Sequence, residues 1–366
     1  MRTLIALVSI TLVGTATPAS AATAWAGTLI SAESVATTTL YPWGTKAHRI
    51  KYLSTSPQGA PILVSGLTLT PPGRPRPGGW PVVAWSHGTT GIGDACAPSA
   101  VPGAGAYYEK TLNLFLRAGY AVVATDYPGL GTPGIHPYLI PESAARSVID
   151  SVRAARHLTP ALSRNWLAAG HSQGGQSAMA TAEIADDYGR GLNFGGAVVY
   201  APAPNMSGFL PDPSVELRPL EQTFYSMMLV GLGTQYPDLD FADYLGDRAR
   251  AMLPAVRTLC FDDLAARYEQ AALPTTEFLL RDATATRLRE WFAANEIGHR
   301  RADGPVLVLQ GADDPVVPPP ATDDMVTLSR GHGSRIDYRV YPGANHGGIL
   351  AAAAPDVLAW LAEHAA

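Results

Sequence analysis

The chain has 366 residues, of which 47% are apolar and 16% are charged, and its formal net charge is −5. This length suffices for one large domain with a sizeable core, or for a core that carries an inserted subdomain. The low share of charged residues disfavours extensive disorder, and no long run of Lys or Arg suggests nucleic-acid binding.

The N-terminus has the pattern of a secretory signal peptide over residues 1–22. Arg2 supplies a positive charge, residues 4–13 are apolar, and small residues follow up to Ala22. The apolar run is too short to span a bilayer as a stable helix, and no later run is long enough either. We therefore predict that the segment is cleaved and the mature protein is extracellular; a retained anchor or a disordered apolar tail is the alternative.

Cys96 and Cys260 are the two cysteines of the chain. Exported proteins usually pair an even number of cysteines, so a Cys96–Cys260 disulfide is predicted. Two buried free thiols are the alternative.

Short apolar runs along the chain predict buried strands. Most are rich in Val, Leu, Ile or Tyr and end at Gly, Pro, Asp or Asn. The runs are 62–69, 82–85, 121–124, 166–169, 197–200, 306–309 and 336–340. Because they are nearly continuous rather than alternating, they indicate a parallel sheet covered on both faces.

Helical patterns lie between these strands, at 106–118, 142–157 and 177–188. The first ends at Gly119, a suitable C-terminal cap. Alternating strands and helices indicate an α/β architecture, with a mostly parallel central sheet flanked by helices.

Residues 201–301 interrupt the alternation. They open with a Pro-rich stretch and continue as mixed helical pieces without a convincing buried strand. The segment is too long for a plain loop. We predict a helical cap inserted into a core formed by residues 23–200 and 302–366; an extra helical layer without a role in substrate access is the alternative. Its apolar side chains could line a pocket or form buried core; they are Phe209, Phe224, Tyr225, Met227, Met228, Leu229 and Val230.

The strongest chemical signal is the pentapeptide Gly-His-Ser-Gln-Gly centred on Ser172, which follows a predicted strand and precedes a predicted helix. This context is typical of a nucleophile elbow, a turn so tight that Gly170 and Gly174 are needed for backbone clearance. The turn projects the Ser172 hydroxyl from the sheet. The helix N-terminus behind it can stabilise a developing oxyanion. Ser172 is therefore the predicted nucleophile.

A serine hydroxyl needs a general base. In chains with a nucleophile elbow, this base comes after the serine in the sequence. His346 lies in a Gly-rich loop after the last predicted strand, and we expect it to be this base. His299, His332 and His364 are the rivals. A lone histidine is more often structural or exposed, but position and order favour His346.

The base needs an acid that fixes its tautomer, and a pair of aspartates follows the run 306–309. The spacing Gly-x-x-Asp-x-x-Val-Pro favours Asp314 over Asp313. An oxyanion would be held by the backbone N–H of Gln173 and by a second N–H from the early loop after residues 82–85. That donor is predicted to be Thr89 or Thr90, while the His87 side chain is expected to be structural.

These residues resemble the secretory lipase family, typified by fungal lipase A-type enzymes, in the α/β-hydrolase superfamily. Four segments carry the resemblance: 86–99, 126–131, the elbow 170–175, and the loops of Asp314 and His346. The resemblance implies the α/β-hydrolase fold with a helical cap, and hydrolysis of carboxylic esters, often acylglycerols, without a metal or organic cofactor. Carried onto this chain, it implies the triad Ser172, Asp314 and His346. With two cysteines, the chain lacks any additional disulfide common in fungal relatives.

The sequence therefore predicts a secreted lipase or carboxylesterase that acts on a small-molecule or lipid ester, with a lipid–water interface as a further expected contact. Two alternatives stay open at this stage. The same triad could serve an acyltransferase or a peptidase, because fold and triad do not determine the acceptor. A secreted protein that kept the fold without catalysis is the other.

Overall fold

A computed structural model describes residues 25–100, 108–212, 214–280 and 286–364. The signal peptide predicted over residues 1–22 lies outside these described residues. The described residues form one nine-stranded sheet with helices around it. The strands are β1 (Leu29–Val35), β2 (Lys46–Thr55), β3 (Pro61–Thr70), β4 (Trp80–Ser86), β5 (Ala121–Thr125), β6 (Leu162–His171), β7 (Asn193–Tyr200), β8 (Pro305–Gly311) and β9 (Arg335–Tyr341). The α-helices are α1 (Glu109–Arg117), α2 (Pro141–Leu158), α3 (Gln173–Tyr188), α4 (Pro219–Gly233), α5 (Asp247–Arg250), α6 (Leu253–Val256), α7 (Phe261–Ala271), α8 (Thr275–Phe278), α9 (Thr286–Ala293), α10 (Pro319–Gly331), α11 (Ile349–Ala352) and α12 (Ala354–His364).

The strand order is β1-β2-β3-β5-β4-β6-β7-β8-β9. From β5 to β9 every neighbouring pair is parallel, whereas β1, β2 and β3 pair antiparallel with each other and β3 pairs antiparallel with β5. All seven predicted strands are present, and the mostly parallel sheet is confirmed. The run 62–69, which was expected to be parallel, lies in the antiparallel strand β3.

The strands β1 and β2 were not predicted. The residues of β1 are exposed or half-buried along its whole length, and in β2 buried Ile50 and Tyr52 flank exposed Lys51. Antiparallel strands near a sheet edge often keep one face in water and so show no continuous apolar run. A search for continuous apolar runs therefore does not detect these two strands.

The core forms two layers, one on each face of the sheet. Along β4, Val82 and Ala84 pack in one apolar cluster with α2 and α3, while Val83 and Trp85 pack in another with α1 and α12. This division follows from the two-residue period of a strand. The helices thus cover both faces, and the loops at the carboxyl ends of the parallel strands stay open for a site.

Residues 201–301 lie between β7 and β8, and their described part contributes no strand to the sheet. Helices α4 to α9 pack around a separate apolar cluster that also includes Tyr138, Leu139 and Ile140 from the core. We call residues 201–301 the insertion. Among the described helices of the whole chain, none is both long and apolar enough to cross a membrane.

Candidate active site

Ser172 lies between the end of β6 and the start of α3, with φ 61° and ψ −120°. A non-glycine residue is rarely found in this region, and such backbone strain is concentrated at functional sites. The flanking glycines make the turn possible. A Cβ on Gly170 would lie 2.1 Å from the Gly174 carbonyl oxygen, and a Cβ on Gly174 would lie 1.9 Å from that of Ser86. Any side chain at either position would force the turn open.

A cleft of about 640 Å³ opens at this turn. Ser172 and His346 both line it, together with Thr89 and Thr90 from the loop after β4. The same loop contains Gly88, whose backbone N–H donates to the Tyr108 hydroxyl at 2.9 Å. The structure thus brings the predicted nucleophile, base and oxyanion loop to one cavity.

Asp314 and His346 form a hydrogen-bonded pair, with Nδ1 of His346 2.7 Å from Oδ2 of Asp314. The other carboxylate oxygen, Oδ1, accepts the backbone N–H groups of Val316 and Val317 at 2.8 and 2.9 Å. Burial alone would raise the pKa of Asp314, but the bonds from His346 and from these N–H groups outweigh it, so the pKa lies below its ordinary value. An ionised Asp314 therefore accepts the Nδ1 proton of His346, which is the tautomer that leaves the lone pair of a neutral ring on Nε2.

The alternative residues lie elsewhere. The side chain of Asp313 is exposed, and its backbone N–H donates to the Ala344 carbonyl at 3.0 Å. His299 and His332 are exposed, and His364 stacks on Trp360 at a ring distance of 4.3 Å. None of these residues is among those that line the cleft beside Ser172.

The donors predicted for an oxyanion lie beside the serine. Gln173 is the first residue of α3, so its backbone N–H has no carbonyl one turn earlier to bond. Thr89 is held by a 2.7 Å bond between its hydroxyl and that of Tyr138, and the Thr90 carbonyl accepts the Phe261 N–H at 2.9 Å. These contacts fix the loop and leave the choice between the N–H groups of Thr89 and Thr90 open.

Three buried histidines surround the site, and the sequence indicated none as a contact of the elbow. Gln173 donates its side-chain N–H to Nε2 of His136 at 2.7 Å, while Nδ1 of His136 lies 3.0 Å from the Pro128 carbonyl oxygen. Burial lowers the pKa of His136 to about 3, so the ring is neutral and can accept at Nε2. His87 is also buried, and its Nδ1 bonds the Gly88 carbonyl at 2.6 Å.

His171, the third buried histidine, precedes the serine. Its Nε2 lies 2.7 Å from the carbonyl oxygen of His346, and its Nδ1 lies 3.1 Å from the Tyr108 hydroxyl. Burial, with the nearby His346 adding to it, lowers the pKa of His171 to about 3. The motif contains this residue only as a variable position, so sequence reasoning had no signal for its contacts.

The predicted disulfide between Cys96 and Cys260 is present and closes a loop of 164 residues. Cys260 directly precedes α7 in the insertion, and both cysteines line the cleft. The Phe261 N–H bond to the Thr90 carbonyl lies next to it. The insertion is therefore joined covalently and by hydrogen bonding to the loop beside Ser172.

The apolar run of the insertion divides into two sets. Phe209, Phe224 and Met228 line a small pocket of about 40 Å³ that also contacts Ser172 and Gln173. Met227, Leu229 and Val230 are almost fully buried in the insertion's own cluster. Tyr225 is buried too, and it lines a neighbouring pocket of about 330 Å³ with Phe224 and Met228.

Solved structures with the same fold include two bacterial proteins and a fungal one. The rice cell wall degrading esterase LipA from Xanthomonas oryzae superposes with a TM-score of 0.76 at 21% identity, covering 92% of this chain and 98% of that one. A putative hydrolase from Legionella pneumophila gives 0.74 at 18% identity, covering 92% and 96%. Candida antarctica lipase A in its closed state gives 0.68 at 18% identity, covering 88% and 78%. No curated protein sequence is significantly similar to the chain.

Sheet order, flanking helices and the serine turn after β6 define the α/β-hydrolase fold. Within that class, the secretory lipase profile matches residues 106–366. The chain belongs to the secretory lipase family and is a carboxylic ester hydrolase. The match includes three of the four segments on which the resemblance was based; residues 86–99 precede it.

Proposed function

We propose that the chain is an exported lipase or carboxylesterase that cleaves its substrate through Ser172, His346 and Asp314 by way of an acyl-enzyme. The observation that carries this proposal is the 2.7 Å hydrogen bond between His346 and the buried Asp314. His346 and Ser172, whose backbone is strained, line the same cleft. The nucleophile is thereby provided with a base, and the base with a partner that fixes its tautomer.

The reaction begins when Ser172 Oγ attacks the ester carbonyl carbon and Nε2 of His346 takes the hydroxyl proton. The resulting oxyanion is held by the backbone N–H of Gln173 and by that of Thr89 or Thr90. Removing one such donor typically costs roughly 3–4 kcal/mol in the barrier. His346 returns the proton to the leaving alkoxide, which departs as the alcohol.

Deacylation repeats these steps with water. His346 takes a proton from a water molecule while the water oxygen attacks the acyl-enzyme carbonyl. His346 then returns a proton to Ser172 Oγ as the carboxylic acid leaves. Asp314 stays ionised throughout and stabilises the imidazolium in both halves of the cycle. Its two backbone N–H partners and its lowered pKa support this role.

The substrate we propose is an acylglycerol or another ester with an apolar acyl chain. Phe209, Phe224 and Met228 present apolar surface next to Ser172, and methionine adapts to irregular apolar ligands. The insertion then acts as a cap that shapes the acyl site. The signal-peptide pattern of residues 1–22 supports the proposed export, and the disulfide agrees with an oxidising compartment.

Two measurements on the purified mature protein test the proposal. A fluorophosphonate probe should label one residue, Ser172, as located by peptide mass mapping. A series of p-nitrophenyl esters from acetate to palmitate should show kcat/KM that rises with chain length until the acyl site is full. Labelling at another serine would refute the nucleophile, and a series that falls from acetate onward would refute the acyl site.

A further inference from the structure

A chain of three hydrogen bonds crosses the site behind Ser172. The Gly88 N–H donates to the Tyr108 hydroxyl at 2.9 Å, the Tyr108 hydroxyl bonds Nδ1 of His171 at 3.1 Å, and Nε2 of His171 bonds the His346 carbonyl at 2.7 Å. One end of the chain is Gly88, in the loop that also contains Thr89, and the other end is the loop that carries His346. His171, one of its two inner residues, directly precedes Ser172.

The direction of each bond follows from the chemistry of the groups. A carbonyl oxygen can only accept, so Nε2 of His171 carries the proton and donates to His346. Because burial lowers the pKa of His171 to about 3, the ring is neutral and its unprotonated Nδ1 can accept a hydrogen bond. The Tyr108 hydroxyl therefore donates to Nδ1, and its oxygen accepts from Gly88. All three bonds can form at once with a single tautomer.

The surroundings leave little freedom to these groups. Tyr108 and His171 are both buried, and the rings of His171 and His346 lie 4.5 Å apart. A Cβ on Gly88 would lie 2.4 Å from the Tyr108 hydroxyl and 3.4 Å from Cβ of Ser172. By contrast, Pro342, Gly343 and Asn345 of the His346 loop are exposed. An exposed loop that must place an imidazole accurately needs an anchor from the buried side.

We propose that Tyr108 and His171 are positioning residues that hold the His346 loop and the Gly88 loop in register on either side of Ser172. This inference rests on the proposed function, in which His346 is the base and the Gly88 loop supplies an oxyanion donor. A misplacement of ~1 Å can cost ~100-fold in rate, because the near-attack geometry is lost. Both residues also line the cleft, so the split between kcat and KM separates a positioning role from contact with substrate.

The test compares Tyr108→Phe, His171→Phe and the double variant on one soluble ester. Each single change should lower kcat ~10-fold with KM within about twofold, because positioning affects the transition state more than binding. The double variant should also lose ~10-fold rather than ~100-fold, because both changes break one chain. His171→Gln, whose amide nitrogen can reach the His346 carbonyl, should restore most of kcat, while His171→Asn, which is too short, should not.

Tyr120→Phe is the matched control, because it removes another buried hydroxyl, which bonds the Leu361 carbonyl at 3.1 Å. It should lower thermal stability and leave kcat unchanged. If Tyr108→Phe and His171→Asn behave like this control, or raise KM at constant kcat, the positioning role is wrong. Additive losses in the double variant would refute a single chain. Ser172→Ala is measured alongside. If this variant stays active, the proposed function fails. If Ser172→Ala is inactive while Tyr108→Phe and His171→Asn are fully active, only the positioning role is overturned.

Discussion

Two regions meet at Ser172 and hold their side chains in different ways. One, which we call the elbow edge, consists of the loops around Thr89, Ser172, Asp314 and His346. It is held by close main-chain packing, as at Gly170 and Gly174, and by buried hydrogen bonds such as that between Asp314 and His346. The other is the insertion, which contributes replaceable apolar side chains to the pocket wall. On the proposed function, this difference predicts that reactivity depends on the elbow edge, whereas acyl preference depends on a few side chains of the insertion that can vary independently.

The largest expected effect is on the nucleophile. Ser172→Ala should lower kcat by roughly 10⁶-fold, as loss of a triad serine does in a well-studied protease, and should abolish fluorophosphonate labelling. The far-UV circular dichroism spectrum should be unchanged, because the turn stays the same. Ser151→Ala, which removes a buried hydroxyl within α2, is the control, and in this variant Ser172 should still be labelled. Residual labelling of Ser172→Ala would place the chemistry at another residue.

The acid should come next. Asp314→Asn should cost ~10⁴-fold in kcat, because an amide favours the wrong imidazole tautomer. Asp313→Asn, one residue away with an exposed side chain, should change kcat by less than about twofold, as surface substitutions usually do. Steady-state kinetics on one ester compares the two. Should Asp313→Asn be the more damaging change, the carboxylate that serves His346 has been misassigned.

The link between the two regions can be broken at the disulfide. On the chain-entropy model, closing a loop of this length stabilises by about 5 kcal/mol, which is an upper figure. Replacing both Cys96 and Cys260 by Ser should lower the free energy of unfolding by up to that amount, measured in urea. Hydrogen exchange should increase more in α7, which starts next to Cys260, than in α3. Equal increases in both helices would mean that the insertion is held by packing alone.

Acid should destabilise the protein through two buried histidines that lie beside the elbow edge. The pKa of His136 and that of His171 are lowered by burial to about 3, whereas both would titrate near 6.5 in the unfolded chain. Below pH ~6.5 the unfolded state therefore binds protons that the folded state excludes until about pH 3, so stability falls as pH falls through this window. At pH 5 each histidine should cost about 2 kcal/mol. The insertion's own histidine, His299, is exposed.

Urea unfolding at pH 8 and pH 5 measures this loss. His136→Asn, whose amide can still donate to the Pro128 carbonyl, should reduce the difference between the two pH values. His332→Gln, at an exposed position, should leave it unchanged. An unaltered difference in His136→Asn would show that this ring is protonated in the folded protein.

The smallest effect concerns acyl preference. Met228→Trp should fill the pocket beside Ser172 and lower kcat/KM for octanoate esters by ~10-fold, because roughly two methylenes lose burial at about 0.8 kcal/mol each. Acetate ester hydrolysis should be nearly unchanged. Met228→Leu keeps the volume and should preserve the chain-length profile. Equal losses on acetate and octanoate would mean that Met228 supports the elbow edge rather than the acyl site.

The fold was predictable from the sequence wherever burial leaves a pattern. Continuous apolar runs revealed the buried strands, and the glycines around Ser172 revealed the turn. The two strands β1 and β2 were missed because they are partly in water. Residues Phe224 to Val230 were taken as one apolar run, although α4 directs only some of these side chains to the pocket. Tyr108, His136 and His171 were also missed as contacts, because a hydrogen bond between distant segments has no local periodicity.

The strand order leaves β1 and β9 as the two edges of the sheet, and β9 alternates Arg335, Asp337 and Arg339 with less polar residues. Arg339 pairs with Asp337 at 2.5 Å and with Asp356 of α12 at 3.1 Å. An edge strand is a template on which another chain can add, and charged side chains make that addition unfavourable. At the high local concentrations that adsorption to an oil droplet would produce, this charged border would help keep neighbouring molecules from joining sheet to sheet into aggregates.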